Sequence, residues 1–361
     1  MAGITRRDLG KGALALGAAT AFVESSHAEP ESPIRGGTFT ALIINEPNSM
    51  DPLIGNNPGN DGRSYNLFAE RLLYQDFGGA YKPLLAQSWE FSEDGLALTF
   101  HLRSGITFQD GTAFDADAVK FNLDRAREPT PQSRTAPYLT TLSKVDVVDP
   151  HTVRLNLTQR SASFLATLAS EVGTMVSPAA ITKLGADFSH APVGTGPFRL
   201  TSWSSGRIEA QRWDGYWQKD ENGQQLPYLD RVVFQIQPNA SVQLVNLESN
   251  GAQFGDNVLV QDYAKVKASP VLELVPAPNN NVMYSAFNVP KPPFDNADLR
   301  RAFCHAVNRE AIAKIITGTY GGPSAGVESP GSWATGPELK PPAWRSPRSM
   351  WRHQASPARL R

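Results

Sequence analysis

Apolar residues alternate with polar ones at Leu98, Phe100 and Leu102, a period of two that predicts a half-buried strand ending at Ser104-Gly105. Ile106 and Phe108 resume the alternation as far as Asp110-Gly111, a dipeptide suited to a turn that needs positive φ. The pattern then becomes helical, with Val119, Phe121, Leu123 and Ala126 following Asp115, whose carboxylate can accept the free N–H groups of a first turn. Pro129 ends this helix, because proline restricts its predecessor and cannot continue the ladder.

Similar patterning extends along the chain. Gly36-Gly37 introduces the β-branched, largely apolar run Thr38–Ile44, expected as a strand buried near the centre of a lobe. Its C-terminal end runs into Asn45-Glu46-Pro47-Asn48-Ser49-Met50-Asp51-Pro52, where two prolines and several side-chain acceptors predict a loop. The spacing of Leu67, Phe68, Leu72 and Leu73 predicts a helix over 65–74, and Val145, Val147 with Val153, Leu155 and Leu157 predict a hairpin around Asp149-Pro150. Further helices are expected from Phe164, from Ala179 to Leu184, over 241–250 and from Leu299 to Val307, with Asn308 capping a last one containing Ile312, Ile315 and Ile316. Strands are expected at 231–237 and 282–289.

Composition narrows the class of protein. A chain of 361 residues is too long for one ordinary core. Its formal charge of -1 gives no reason to expect nucleic acid as a partner. The single cysteine, Cys304, excludes an internal disulfide or a Cys-rich zinc site, and no cofactor is expected. The chain holds no His-Glu-x-x-His, Gly-x-Ser-x-Gly or P-loop, so it is not expected to be an enzyme. Asp115 and Asp117 form a carboxylate pair better explained by helix capping than by acid/base work. Arg6-Arg7, the apolar run from Gly12 to Val23 and Ser26-His27-Ala28 predict a removable export signal over 1–28, of the twin-arginine type although Gly10 departs from that pattern. No later run suits a membrane span, so no insertion is expected after signal removal.

Three landmarks carry a family resemblance. The first is Leu85-Ala86-Gln87-Ser88-Trp89-Glu90, Asp94-Gly95 and then Leu102-Arg103-Ser104-Gly105-Ile106-Thr107-Phe108-Gln109-Asp110-Gly111. The second is Gly194-Thr195-Gly196-Pro197-Phe198, followed by Trp213-Asp214-Gly215-Tyr216-Trp217, whose aromatics suit packing better than ligand stacking. The third is Pro292-Pro293-Phe294-Asp295 with Leu299-Arg300-Arg301-Ala302. In this order they resemble the family of periplasmic solute-binding proteins that deliver peptides, and in some members nickel, to ABC importers.

The resemblance implies an α/β, two-lobed, hinge-closing architecture of the type II periplasmic binding proteins. Lobe I would span 29–285 with a subdomain inserted over about 55–190, and 286–340 would form the crossover and the start of lobe II. Asn45 and Glu46, bordering the cleft, and Phe287 and Asn288, at the crossover, are the ligand-binding residues it points to; loop and turn roles are the alternatives. It implies a monomer in the periplasm that takes a peptide or another small solute to a permease with two transmembrane and two ATP-binding subunits. The pattern stops near Pro337, and 341–361, with five Arg and no Lys, Asp or Glu, suits a frameshifted end better than a basic tail that binds nucleic acid. The second lobe is therefore expected to be incomplete and capture impaired. An exported remnant without a ligand, or a binder of nickel, haem, sugar or opine, remains the alternative.

Overall fold

In the computed structural model the described residues are 33–54, 64–76, 78–130, 133–275 and 282–324. The expected export signal at 1–28 and basic end at 341–361 lie outside them. The regular elements begin with β1 (Thr38–Ile43), the short strands β2 (Glu70–Arg71), β3 (Leu73–Gln75) and β4 (Tyr81–Pro83), then β5 (Ala86–Phe91) and β6 (Ala97–Leu102). Helix α1 (Ala116–Arg127), the hairpin β7 (Leu142–Asp149) and β8 (Thr152–Leu157), α2 (Phe164–Leu168), β9 (Thr174–Met175) and α3 (Pro178–Leu184) follow. The chain continues through β10 (Phe198–Ser204), β11 (Arg207–Arg212), β12 (Arg231–Ile236), α4 (Ala240–Glu248), β13 (Phe254–Gly255), α5 (Tyr263–Ala268), α6 (Ala297–Ala306) and α7 (Arg309–Thr317).

Two sheets organise these elements. The five-stranded sheet has the order β10-β11-β12-β1-β13, with β1 parallel to β12 and β13 and the hairpin β10-β11 antiparallel beside them. The expected buried strand is therefore an interior one, flanked by β12 and β13, and Ala41, Leu42 and Ile43 are buried. The four-stranded sheet β5-β6-β8-β7 is antiparallel throughout. Leu98, Phe100 and Leu102 of β6 face inward and pack with Val119, Leu123 and Ala126 of α1 and with Val145, Val153 and Leu155. Fully burying an aromatic such as Phe100 is worth roughly 1.5–3 kcal/mol.

Asp115 caps α1 as expected, accepting a hydrogen bond from Ala118 N at 2.9 Å. Asp115→Ala should lower unfolding stability by about 1 kcal/mol, measurable as a shifted urea midpoint with unchanged slope.

Two expectations are corrected. Residues 65–74 do not form a helix beyond a single turn; they run extended through β2 and β3. The reason is that the segment serves two cores. Phe68 is buried against β1, β10 and β12, whereas Leu72 and Leu73 are buried with β6 and α1. A helix would turn these residues onto one face. Residues 282–289 do not form a strand: among the described residues no neighbouring strand takes up their backbone groups, and Met283 and Tyr284 are 76% and 83% exposed.

Candidate functional site

The parallel strands β1, β12 and β13 end on the same edge of the larger sheet, and in open α/β sheets that carboxyl edge is where ligands tend to sit. Gln237 N donates to Ile43 O at 2.7 Å, so the ends of β12 and β1 stay in register as they leave the sheet. The loop after β1 is held from beneath. Asp51 N donates to Ser49 Oγ at 2.9 Å, Asp51 Oδ1 accepts from Leu53 N at 3.1 Å, and Met50 N donates to Ser189 O at 2.8 Å. The other oxygen of Asp51 pairs with Arg125 of α1, and the Asp51 side chain is only 3% exposed.

Above this anchored base stand the two expected residues Asn45, exposed, and Glu46, half-buried. Glu46 Oε1 accepts a hydrogen bond from Trp203 Nε1 at 2.7 Å, across 157 positions of sequence. Trp203, on β10, stacks on His190 with ring centroids 4.5 Å apart. Among the described residues Glu46 has no cationic partner. An oriented carboxylate with unused lone pairs can accept from an ammonium or amide N–H, and such charge-assisted bonds strengthen when water is excluded.

Beyond the end of β12, Gln243 of α4 is buried and donates to Gln237 O at 2.7 Å, while its Oε1 accepts from Asn257 N at 3.3 Å. Asn239 caps α4 by accepting from Val242 N at 3.1 Å. The strand ends are thus bordered by polar groups fixed from below. A broad groove of about 1550 Å³ lies elsewhere, along α1 between Lys120, Asp124, Arg127 and Pro137, with charges of both signs.

Phe287 and Asn288 are placed differently. Phe287 packs against Phe294 and Phe303, with centroids 4.8 and 5.2 Å apart, and Asn288 O accepts from Lys291 N in a turn. Among the described residues no hydrogen bond, ion pair or ring contact joins either of them to Asn45 or Glu46. Sequence reasoning did not single out Trp203 or His190. An indole N–H needs a partner when half-buried, which is the signal Trp203 offered. The aromatics Trp213 and Tyr216 are buried, in keeping with packing.

Among the described residues no helix is long and apolar enough to cross a membrane. The chain is 34% identical over 322 residues to the glutathione-binding protein GsiB of Escherichia coli O1:K1 / APEC, an alignment covering 88% of this chain and 60% of that protein. The chain thus spans about 60% of the length of that curated relative. Its fold matches the periplasmic binding protein DppA of Helicobacter pylori in complex with the peptide STSA, with a TM-score of 0.75, 24% identity and coverage of 90% of this chain and 67% of that one. It also matches the binding protein AgaA of A. tumefacien R10 in complex with agropinic acid, with a TM-score of 0.65, 30% identity and coverage of 77% and 55%. The mixed α/β fold is thus that of the type II periplasmic binding proteins. Residues 80–350 match the family described as bacterial extracellular solute-binding proteins, family 5 Middle, whose members bind solutes rather than catalyse reactions. This chain belongs to the family 5 bacterial extracellular solute-binding proteins.

Proposed function

We propose that the protein is the solute-capturing component of an ABC importer for peptides, with small peptides such as glutathione the first class to try. The observation that carries this reading, within the family already identified, is the carboxylate of Glu46, oriented by Trp203 at the carboxyl edge of a parallel sheet and left without a cation among the described residues. Asn45 and Glu46 form one border of the cleft, and Phe287 and Asn288 lie at the crossover to the second lobe. Lobe I is taken as 29–285 with the insertion at about 55–190, and 286–340 as the crossover with the start of lobe II. The protein works as a monomer in the periplasm and hands its solute to a permease of two transmembrane and two ATP-binding subunits. The relatives' names support the solute class: one is a glutathione-binding protein, and a solved fold relative holds a peptide.

Titration calorimetry and thermal unfolding with glutathione and with mixed di- and tetrapeptides test the proposal. The expected result is saturable heat and a raised Tm, since ligand at about 100 times its Kd adds about 2.7 kcal/mol. Trp203→Phe keeps an aromatic ring but removes the N–H that orients Glu46. It should weaken peptide binding about tenfold, equivalent to ~1.4 kcal/mol. No heat with any peptide rejects the reading.

A second reading, an exported remnant without a ligand, draws on one observation. Helices α6 and α7 bury no residue, and Leu299, Phe303, Ile312, Ile315 and Ile316 are exposed, Ile315 by 74%. Such apolar faces suit a protein that lacks part of its packing. Absence of peptide heat together with binding of an apolar dye would favour it.

A further inference from the structure

A carboxyl outside the residues proposed for the cleft is buried where the chain passes between the two sheets. Glu70 of β2 is 7% exposed. Its Oε2 accepts from the Thr195 hydroxyl at 2.9 Å and the Trp217 indole N–H at 2.7 Å. Its Oε1 accepts from the Tyr216 hydroxyl at 2.7 Å and the Gln218 amide at 3.1 Å. Thr195 belongs to the turn that returns the chain to the larger sheet at β10, and Tyr216, Trp217 and Gln218 lie beyond β11. Glu70 therefore ties the outgoing pass of the chain to the returning one and to the loop behind it.

None of the four partners is a cation. Among the described residues that hydrogen-bond Glu70, only Tyr216 titrates. Arg103 packs on the Trp217 ring, its guanidinium carbon 5.0 Å from the centroid. Arg71, next in the strand, alternates to the other face, and the β9 partners Thr174 and Met175 carry no charge. A buried carboxylate without a cation is costly, and taking up a proton is the usual relief.

The partner set accommodates that proton. Each carboxyl oxygen has one hydroxyl partner and one N–H partner. The N–H groups can only donate, but a hydroxyl can rotate from donor to acceptor. A carboxylic acid at Glu70 could thus donate to Thr195 Oγ1 or Tyr216 Oη and still accept from Trp217 and Gln218, with no hydrogen bond lost. We infer that Glu70 is a proton-binding site that makes the junction between the two sheets more stable in acid than in base.

The electrostatics agree with the geometry. Burial pushes the Glu70 carboxyl above its ordinary value of 4.5, against the lowering effect of its four hydrogen bonds. The Tyr216 phenol is raised as well, by burial first and then by the Glu70 charge. The folded protein therefore holds this proton more tightly than the unfolded chain does. The stabilisation is complete below the unfolded carboxyl's value and is lost as pH rises through the folded one.

Infrared difference spectroscopy of the full chain, titrated from about pH 4 to about pH 8, tests this. The expected result is a protonated-carboxyl C=O band that persists after the exposed carboxyls have ionised. That band should shift in frequency in Tyr216→Phe and Thr195→Val and disappear in Glu70→Gln. Thr195→Val is nearly isosteric and keeps the test open should Glu70→Gln fail to fold. A carboxyl band that titrates only with the exposed groups, or one unmoved by both hydroxyl variants, overturns the inference.

Discussion

Gly194→Ala should destabilise the protein by about 3 kcal/mol or more, an overpacking cost at the upper end of the usual range. A Cβ built on Gly194 would lie 2.4 Å from Phe68 O and 2.6 Å from both Ala69 Cα and Ala69 Cβ. Two of these three are backbone atoms of the outgoing pass and cannot swing aside as a flexible side chain would. Gly196 has the same problem, with Leu67 O and Phe68 C each 2.6 Å from its Cβ position. The close approach is what allows Gly196 N to donate to Phe68 O at 2.9 Å and Phe198 N to Leu67 O at 3.0 Å. It also lets Gln109 insert between the passes, its Nε2 donating to Gly196 O at 2.9 Å and Phe198 O at 2.6 Å. Denaturant unfolding followed by tryptophan fluorescence measures the loss. Gly111→Ala is the internal control: its Cβ would meet nothing within 4 Å, and the remaining cost is that of φ +88° in a residue with a side chain, about 1–2 kcal/mol. If the two variants lose equal stability, backbone crowding is not the reason for Gly194.

The same junction explains why two separate stretches of sequence identify the fold. Leu102, Ile106 and Phe108 fill the smaller sheet's core. The Arg103 side chain donates to Leu84 O at 2.6 Å and lies over Trp217. Asp110 accepts from the Ser177 hydroxyl at 2.5 Å, which fastens the turn to the cap of α3. Gln109, between them, reaches the Gly194–Pro197 turn. Apolar periodicity, Asp-Gly turns and side-chain caps are local signals, and the elements that depend on them were legible: β1, the hairpin β7-β8, and the helices α1, α3, α4, α6 and α7.

What was not legible depends on distant partners. Residues 65–74 carry a helical spacing of apolar residues, but β2 pairs with β9 and β3 with β4, and the two cores pull neighbouring side chains apart. Residues 282–289 have a strand's composition but, among the described residues, no strand beside them. Asn45 and Glu46 could be picked out as loop residues at a strand end. That Glu46 would be held by an indole 157 positions later could not. Glu70 gave no signal in sequence, because its four partners are 125 to 148 positions away.

Arg125→Leu should cost about 3 kcal/mol, the lower end of the range for breaking one side of a buried ion pair. Arg125 pairs with Asp51, whose side chain is 3% exposed, while its own is 23% exposed. Its Nη1 is buried without a hydrogen-bond partner, which reduces what the intact pair contributes over an apolar replacement. The cost of the single substitution has another source: it leaves the Asp51 carboxylate buried with the Leu53 N–H and no cation. Asp51→Asn in the Arg125→Leu background removes that charge, so it should recover part of the loss. A double-mutant cycle should give a coupling of about 2 kcal/mol. The pair also joins α1 to the loop that carries Glu46, so the damage should be local before it is global. Hydrogen exchange at the Met50 and Leu53 amides, both bonded in the native loop, should accelerate more than exchange in β6. Equal acceleration at both places would mean that Arg125 supports the core as a whole, and that the loop bordering the proposed cleft is held by its own hydrogen bonds and those to Ser189 and Trp203 rather than by the ion pair.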